Sequence, residues 1–288
     1  MCGIFGIISS NKIDKKDFKS LALISRERGK DSSGFLTYDG NYLINRYEED
    51  IKTSLKRINL INVNLLIGHS RLITNSTHDN QPIIKKNAIC FHNGIIVNFE
   101  EIFSKFKLEK KLNIDSEILL ALFNYYLDQN IHFDLIIEKI FQTCTGIINC
   151  AIAIPRLGKL LLFSNNGSLY VGNKKNSLLF SSEKYFLEKI NCIDIHQVRI
   201  KLIDIPKSTS LINVDESKNN DNIRKDFVPS LTKNIQLEKL LIYENHTLKR
   251  CSKCVLPSTM PFIKFDENDV CNYCKNYEHR VATELYKE

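Results

Sequence analysis

The 288-residue sequence lacks any uninterrupted apolar run approaching the ~18 residues that a membrane-spanning helix needs. Its apolar start, MCGIFGII, has no basic residue ahead of it and is too short for a secretory signal peptide. Charge of one sign is only mildly in excess, with 40 Lys and Arg against 33 Asp and Glu. These absences argue against a membrane span and a secretion signal, and we expect a cytoplasmic protein with no membrane partner.

The small positive excess also gives little reason to expect a nucleic-acid partner. Lysines cluster in segments 12–19 and 105–111, but Asp, Phe or Glu interrupts each cluster. Such interrupted charge is typical of solvated helix faces. The sequence therefore predicts no nucleic-acid binding. No internal repeat is present, and 43% hydrophobic and 25% charged residues are ordinary for a globular protein.

The sequence also lacks the even number of cysteines that is typical of a disulfide framework. The chain has nine cysteines, an odd number, and four of them crowd the last forty residues. In a reducing compartment thiols stay free, so we expect a mixture of reactive, buried and metal-binding cysteines.

The apolar pattern predicts short strands with a few helices between them. Residues 2–8 form a predicted buried strand, and an Asp39-Gly40 turn between two apolar segments predicts a hairpin. Asp14 and Asn98 are predicted to start helices. Hairpin-linked strands of this kind favour an α+β domain built on antiparallel sheets and ending near residue 205.

The composition changes after that point. Residues 206–250 are rich in Asn, Asp, Ser and Lys and are predicted to be a linker, and residues 251–288 hold the cysteine cluster. The predicted organisation is a domain at 2–205, a linker at 206–250 and a cysteine-rich tail at 251–288.

Cys2 is the most informative single residue. Removal of Met1 would leave one residue that carries both a thiol nucleophile and a free α-amine. Because an α-amine has a pKa of about 7.7–8.0, it can act as a base near neutrality. Gly3 would allow close approach of backbone or substrate. Taken alone, the pair favours an ordinary buried thiol, and the remaining motifs are what reverse this interpretation.

Several further motifs follow in a specific order. They are Arg28-Gly29-Lys30-Asp31-Ser32-Ser33-Gly34, Gly68-His69-Ser70-Arg71-Leu72-Ile73-Thr74, Gln81-Pro82, His92-Asn93-Gly94 and Asp115-Ser116-Glu117. With Cys2, they resemble the class II glutamine amidotransferase domain, an N-terminal-nucleophile hydrolase, over about residues 2–205. The resemblance implies a four-layer αββα sandwich, glutamine as the substrate, and glutamine hydrolysis that needs no cofactor.

The resemblance also implies a role for each matching position. Cys2 would attack the glutamine amide, while the Asn93 side chain and the Gly94 N–H would form the oxyanion hole. Arg71 would bind the substrate α-carboxylate and Asp115 its α-ammonium group. Thr74 would add a polar contact. The alternatives are a surface ion pair for Arg71 and a plain helix cap for Asp115.

The tail carries two Cys-x-x-Cys pairs sixteen residues apart, formed by Cys251, Cys254, Cys271 and Cys274. Two such pairs can complete a tetrahedral site with no open position, so we expect structural Zn²⁺. Two redox-active pairs, or four unligated thiols, are the alternatives.

The tail also resembles the opening of N-acetyl sugar amidotransferases. In that family the cysteine motif precedes an ATP-pyrophosphatase domain with a Ser-Gly-Gly-x-Asp-Ser loop, and this sequence contains no such loop. The implied function is a glutaminase that supplies ammonia to an ATP-pyrophosphatase-type synthase, present as a further domain or a separate subunit, in bacterial surface-sugar biosynthesis. An asparagine-synthetase-like glutaminase and a non-catalytic glutamine-binding docking module are the alternatives.

Overall fold

In a computed structural model, the strands form two main sheets and a short ribbon. The structure describes residues 2–72, 79–86, 88–210, 212–217 and 248–277, and the chain divides into two units, Met1–Pro229 and Ser230–Glu288. The strands are β1 (Gly3–Ser9), β2 (Ser32–Tyr38), β3 (Tyr42–Tyr47), β4 (Leu65–Arg71), β5 (Ile83–Lys85), β6 (Ala88–His92), β7 (Ile95–Ile96), β8 (Gly146–Ile147), β9 (Asn149–Ile154), β10 (Lys159–Ser164), β11 (Tyr170–Lys174), β12 (Ser177–Ser181), β13 (Ile193–Gln197), β14 (Ile200–Asp204) and β15 (Asn213–Ser217).

Helices of the first unit pack on the outer faces of its sheets, and the described part of the second unit has one short helix. They are α1 (Lys15–Ser25), α2 (Ile51–Ser54), α3 (Phe99–Lys105), α4 (Glu117–Leu127), α5 (Phe133–Thr143), α6 (Lys184–Lys189) and, in the second unit, α7 (Asn272–Lys275); short 3₁₀ turns occupy Arg26–Arg28 and Pro155–Leu157. None of the helices within the described ranges is long and apolar enough to cross a bilayer.

The described strands of the first sheet run in the order β13-β11-β12-β1-β4-β2-β3-β15, and those of the second in the order β14-β10-β9-β6-β5. The ribbon pairs β7 with β8. All pairs are antiparallel except β3 with β15, which is parallel. The prediction of antiparallel sheets is therefore confirmed for the body of the fold, with one parallel pair at the edge of the first sheet.

Three buried clusters show the layering. One fills the space between the sheets, with Ile4 and Ile67 from the first sheet and Phe91 and Leu162 from the second. Another packs α4 and α5 against the outer face of the second sheet. The third packs α1 and α6 against the outer face of the first sheet. The order of layers is helix, sheet, sheet, helix, as predicted.

Local sequence explains the start of α1 and the first hairpin. The Asp14 side chain accepts a hydrogen bond from Lys16 N at 2.8 Å and caps the helix. Gly40, at φ +124°, turns the chain between β2 and β3 in a conformation that favours glycine.

The predicted boundary at residue 205 needs a correction. Strand β15 lies inside the predicted linker and extends the first sheet past that residue. Its segment, NVDES, is polar and lacks the apolar alternation that marks a half-buried strand, so the sequence gives no strand signal there. The segment forms a strand by pairing at the edge of the sheet. Most of the remainder of 206–250 lies outside the described residues.

Candidate active site

Cys2 directly precedes β1 and is fixed by three neighbouring segments. Gly3 pairs with Ser70 of β4, the Cys2 thiol donates to Leu72 O at 3.6 Å, and Arg28 Nε donates to Cys2 O at 3.1 Å. A Cβ on Gly3 would lie 2.6 Å from Ser70 Oγ and 2.8 Å from Ser25 O, so no larger residue fits there. The position of the thiol is thereby set by backbone contacts.

Burial raises the pKa of the Cys2 thiol, although the Leu72 hydrogen bond and the positive charge of Arg71 act in the opposite direction. A thiol with a raised pKa is protonated near neutrality. It therefore needs an adjacent base before it can act as a nucleophile.

Arg71 ends β4 and is 5% exposed, which is incompatible with the surface ion pair considered above. Its guanidinium donates to the carbonyl of Asp79. Burial lowers the pKa of Arg71, while Cys2 in its thiolate form and the carboxylates of Asp79, Asp115 and Asp31 act to raise it. Arg71 is therefore a buried cation close to Cys2.

Asp115 lies just before α4 and is also 5% exposed. Its Oδ2 accepts a hydrogen bond from Ile96 N at 2.7 Å, and no described helix N–H donates to it. The helix-cap alternative is therefore wrong. The charge of Asp115 acts on both Cys2 and Arg71, so these three residues lie within electrostatic reach of one another.

Asn93 follows β6 and has a fully buried side chain. Its backbone is held by Asn149: Asn93 N donates to Asn149 O at 2.8 Å, and Asn149 Nδ2 donates to Asn93 O at 2.9 Å. Among the described residues, neither polar atom of the Asn93 side chain has a hydrogen-bond partner. A buried amide without a partner is costly, so a ligand is the natural partner for it.

Gly94 comes next and tolerates no side chain. A Cβ there would collide with the Ile147 carbonyl and lie 2.7 Å from His92 Nε2. The Gly94 N–H and the Asn93 amide are thus two donors on adjacent residues of a restrained segment. Thr74, the remaining predicted substrate contact, lies outside the described residues.

The structure also shows a buried polar network around His92, next to Asn93, to which the sequence motifs assign no role. His92 Nδ1 lies 2.9 Å from Ser116 Oγ, and His92 N donates to Gln81 Oε1 at 2.6 Å. Gln81 Nε2 donates in return to His92 O at 3.0 Å. In the sequence, this network is indicated by the fact that Gln81, His92 and Ser116 all lie within the motifs quoted above. The network ties three motifs into one rigid support.

His69 is fully buried, and neither ring nitrogen has a hydrogen-bond partner among the described residues. Burial, together with the nearby positive charge of Arg71, lowers the pKa of His69 to about 3. It is neutral at physiological pH.

The four tail cysteines form a separate cluster. Their Sγ atoms all lie within 4.8 Å of one another, with 3.9 Å between Cys251 and Cys274 and 3.6 Å between Cys254 and Cys271. A tetrahedral zinc site with Zn–S bonds of about 2.3 Å has sulfur atoms about 3.8 Å apart. The donor set and its spacing therefore fit Zn²⁺.

The electrostatics of the cluster also favour a cation. Although desolvation acts against it, backbone N–H bonds from Cys254, Cys271 and Lys253 lower the pKa of Cys251 to about 6. Hydrogen bonding to neighbouring thiols, above all Cys254, raises the pKa of Cys274 to about 12. Four thiolates would repel one another, and a divalent cation relieves that repulsion.

Residues 69–189 match the glutamine amidotransferase domain family. The chain is 25% identical to glutamine–fructose-6-phosphate aminotransferase of Helicobacter pylori, over 98% of this chain and 51% of that protein. It is 24% identical to 7-cyano-7-deazaguanine synthase of Saccharolobus solfataricus, over 76% of this chain and 52% of that protein. The chain thus spans about half the length of these relatives.

The fold of this chain is also similar to that of a solved structure. A solved glutamine phosphoribosylpyrophosphate amidotransferase from B. subtilis matches 70% of this chain and 47% of its own, with a TM-score of 0.57 and 19% identity. Together with the family match and the relatives, this shows that the chain carries a class II glutamine amidotransferase domain with the fold of the N-terminal-nucleophile hydrolases.

Proposed function

We propose that this chain hydrolyses glutamine with Cys2 as the nucleophile and supplies the ammonia to an ATP-dependent synthase. One observation carries the proposal: the Cys2 thiol donates to the carbonyl of Leu72, next to the buried cation Arg71, and the buried carboxylate of Asp115 lies within electrostatic reach of both Cys2 and Arg71. An amino acid carries one group for each of these charges, a carboxylate and an ammonium. Glutamine bound between them would present its side-chain amide for attack.

The steps follow from the donors and acceptors present. With Met1 removed, the α-amine of Cys2 takes the thiol proton, and the thiolate attacks the amide carbon. The resulting oxyanion accepts hydrogen bonds from Asn93 Nδ2 and Gly94 N, and Thr74 adds a polar contact to the substrate. The C–N bond then breaks, the α-ammonium returns its proton to the leaving nitrogen, and ammonia and a thioester form. Water hydrolyses the thioester to glutamate and restores the thiol.

The acceptor of the ammonia is inferred from the tail and from a relative. The cysteine string of residues 251–274 resembles the opening of N-acetyl sugar amidotransferases, and the similarity to a 7-cyano-7-deazaguanine synthase also fits an ATP-pyrophosphatase-type partner. We infer that Cys251, Cys254, Cys271 and Cys274 hold a structural Zn²⁺ and that the final product is a nitrogen-containing surface sugar.

The test combines intact mass with glutaminase activity. Purified protein should lack Met1 and should convert glutamine to glutamate and ammonia. A candidate ATP-pyrophosphatase partner should then use glutamine as its nitrogen source only when this chain is present. Glutamine binding without turnover would support the docking-module alternative instead. Nitrogen transfer to aspartate would support the asparagine-synthetase-like alternative.

A further inference from the structure

Asp79 contacts both segments that carry the proposed substrate-binding charges. Its backbone carbonyl accepts a hydrogen bond from Arg71 Nη1. Its side-chain Oδ2 accepts one from Asn113 N at 2.6 Å. Asn113 lies two residues before Asp115, so one residue connects the Arg71 guanidinium to the loop that leads into Asp115.

That loop depends on carboxylates for its shape. Between α3 and α4 the N–H groups of Lys111 and Leu112 donate to Glu117, with distances of 3.0 and 2.8 Å to Oε2. Glu117 is buried and pairs with Lys85 at 2.8 Å. Glu117 therefore holds the middle of the loop to α4, whereas Asp79 holds the next residue, Asn113, to the segment that Arg71 contacts.

These contacts link the two segments that carry the proposed substrate charges. The α-carboxylate and α-ammonium of an amino acid are separated by one carbon, so both can be satisfied only at one spacing of Arg71 and Asp115. Charge–charge energies change steeply at short range in a buried site. A small displacement of the Asp115 loop would consequently cost substrate affinity.

We propose that Asp79 is a positioning residue that sets the spacing of Arg71 and Asp115 and thereby selects for α-amino acid substrates. The inference rests on the proposed glutaminase function. Asp79 itself does not touch the reacting amide. It acts through the Asn113 N–H on one side and through its own carbonyl on the other.

Two properties of Asp79 can be separated by substitution. Asp79→Asn keeps a side-chain oxygen that accepts from Asn113 N but removes the negative charge that acts on Arg71. Asp79→Ala removes both. The carbonyl bond to Arg71 remains in each variant. Asp128→Ala is a matched control. Asp128 directly follows α4, and its exposed carboxylate forms an ion pair with Lys86.

The experiment measures kcat and KM for glutamine and for 4-carbamoylbutanoate, which is glutamine without its α-amino group. We expect Asp79→Ala to raise the KM for glutamine about tenfold, with kcat within about twofold of wild type. The KM for 4-carbamoylbutanoate should change little, because that substrate does not need Asp115. Asp79→Asn should restore the glutamine KM, and Asp128→Ala should match wild type.

Three results would overturn the proposal: an unchanged glutamine KM in Asp79→Ala, an equal rise for both substrates, or no rescue by Asp79→Asn. If Asp79→Ala does not fold, Asp79→Ser is used in its place, because the serine side chain is too short for its hydroxyl to reach Asn113 N. A wild-type protein that neither binds nor hydrolyses glutamine would refute the proposed function as well. Normal wild-type turnover with any of the three results would refute the positioning role alone.

Discussion

The carboxylate of Asp115 accepts a 2.7 Å hydrogen bond from the backbone N–H of Ile96. Ile96 lies two residues after Gly94, so the proposed ammonium-binding group is hydrogen-bonded to the segment that carries the proposed oxyanion donors. Arg71, in contrast, ends a different strand. The two substrate-binding charges should therefore affect catalysis in different ways.

Asp115→Ala should raise KM for glutamine and also lower kcat, because loss of the Ile96 bond loosens the segment that holds Gly94. Arg71→Lys should raise KM by about 10- to 100-fold with a smaller effect on kcat, since lysine keeps the charge but loses the bidentate fork. Steady-state kinetics check both variants, with circular dichroism as the control for folding. Equal effects of the two substitutions on kcat would contradict the proposed link.

Cys2→Ala should lower glutaminase activity by about 10⁴-fold or more, because no other described thiol can replace the nucleophile. Cys192→Ser, which alters a half-buried thiol, should retain wild-type activity. A protein in which Met1 is retained should be as inactive as Cys2→Ala, since its α-amine is no longer on Cys2. Ammonia release and intact mass are the measurements. Wild-type rates from Cys2→Ala would disprove the nucleophile assignment.

Asn93→Ala should lower kcat by about 10²–10³-fold with little change in KM, because the oxyanion forms only during reaction. The Asn93 backbone bonds to Asn149 do not depend on the side chain, so the variant should keep the wild-type fold. The control is the thermal unfolding midpoint. A large increase in KM with an unchanged kcat would instead indicate ground-state binding of the substrate.

Much of the fold follows from local sequence, because caps, turns and apolar alternation act over a few residues. The Asp14 cap and the Gly40 turn are examples, and both occur as predicted. The ribbon of β7 and β8 does not follow from local sequence, since Ile95 pairs with Ile147 and Asn93 and Asn149 bond to each other just beyond the ribbon. Such pairing depends on residues far apart in the chain.

In the candidate site, too, some features can be predicted from the sequence, whereas others depend on the tertiary structure. Sequence motifs predict which residue types take part, and the structure places Cys2, Arg71 and Asp115 within electrostatic reach of one another. The contacts of Asp79 could not be predicted, because a hydrogen bond to the backbone of Asn113 leaves no trace in residue type. The burial of His69, with no hydrogen-bond partner in the described part of the chain, is likewise a product of tertiary packing.

The tail should bind one Zn²⁺ per chain, and Cys254→Ser should lose most of it, because three thiolates cannot close the tetrahedral site. Glutaminase kinetics should be unchanged in this variant, since Cys2, Arg71, Asn93 and Asp115 all belong to the unit Met1–Pro229. Metal content by atomic emission and release to a chromogenic chelator check the prediction. Cys192→Ser is the control, and equal zinc in both variants would contradict the ligand assignment.

Stability should fall in mild acid because of His69. In the folded protein the pKa of His69 is lowered to about 3, whereas an unfolded histidine has a pKa of about 6.5. Below pH 6.5 the unfolded state therefore binds a proton that the folded state does not, and the stabilising effect present above that pH is lost progressively down to about pH 3. The contribution is about 1.4 kcal/mol in the free energy of unfolding for each pH unit.

His69→Leu should remove this contribution, because leucine has no group that titrates. Urea unfolding at pH 6, 5 and 4 should then show a shallower loss of stability than wild type, by about 1.4 kcal/mol per pH unit. His132→Leu is the matched control, since the His132 side chain is 72% exposed. Carboxylates contribute equally to all three proteins, so the difference isolates the histidine. Parallel pH profiles for wild type and His69→Leu would mean that His69 is protonated in the folded protein and has a partner for that charge.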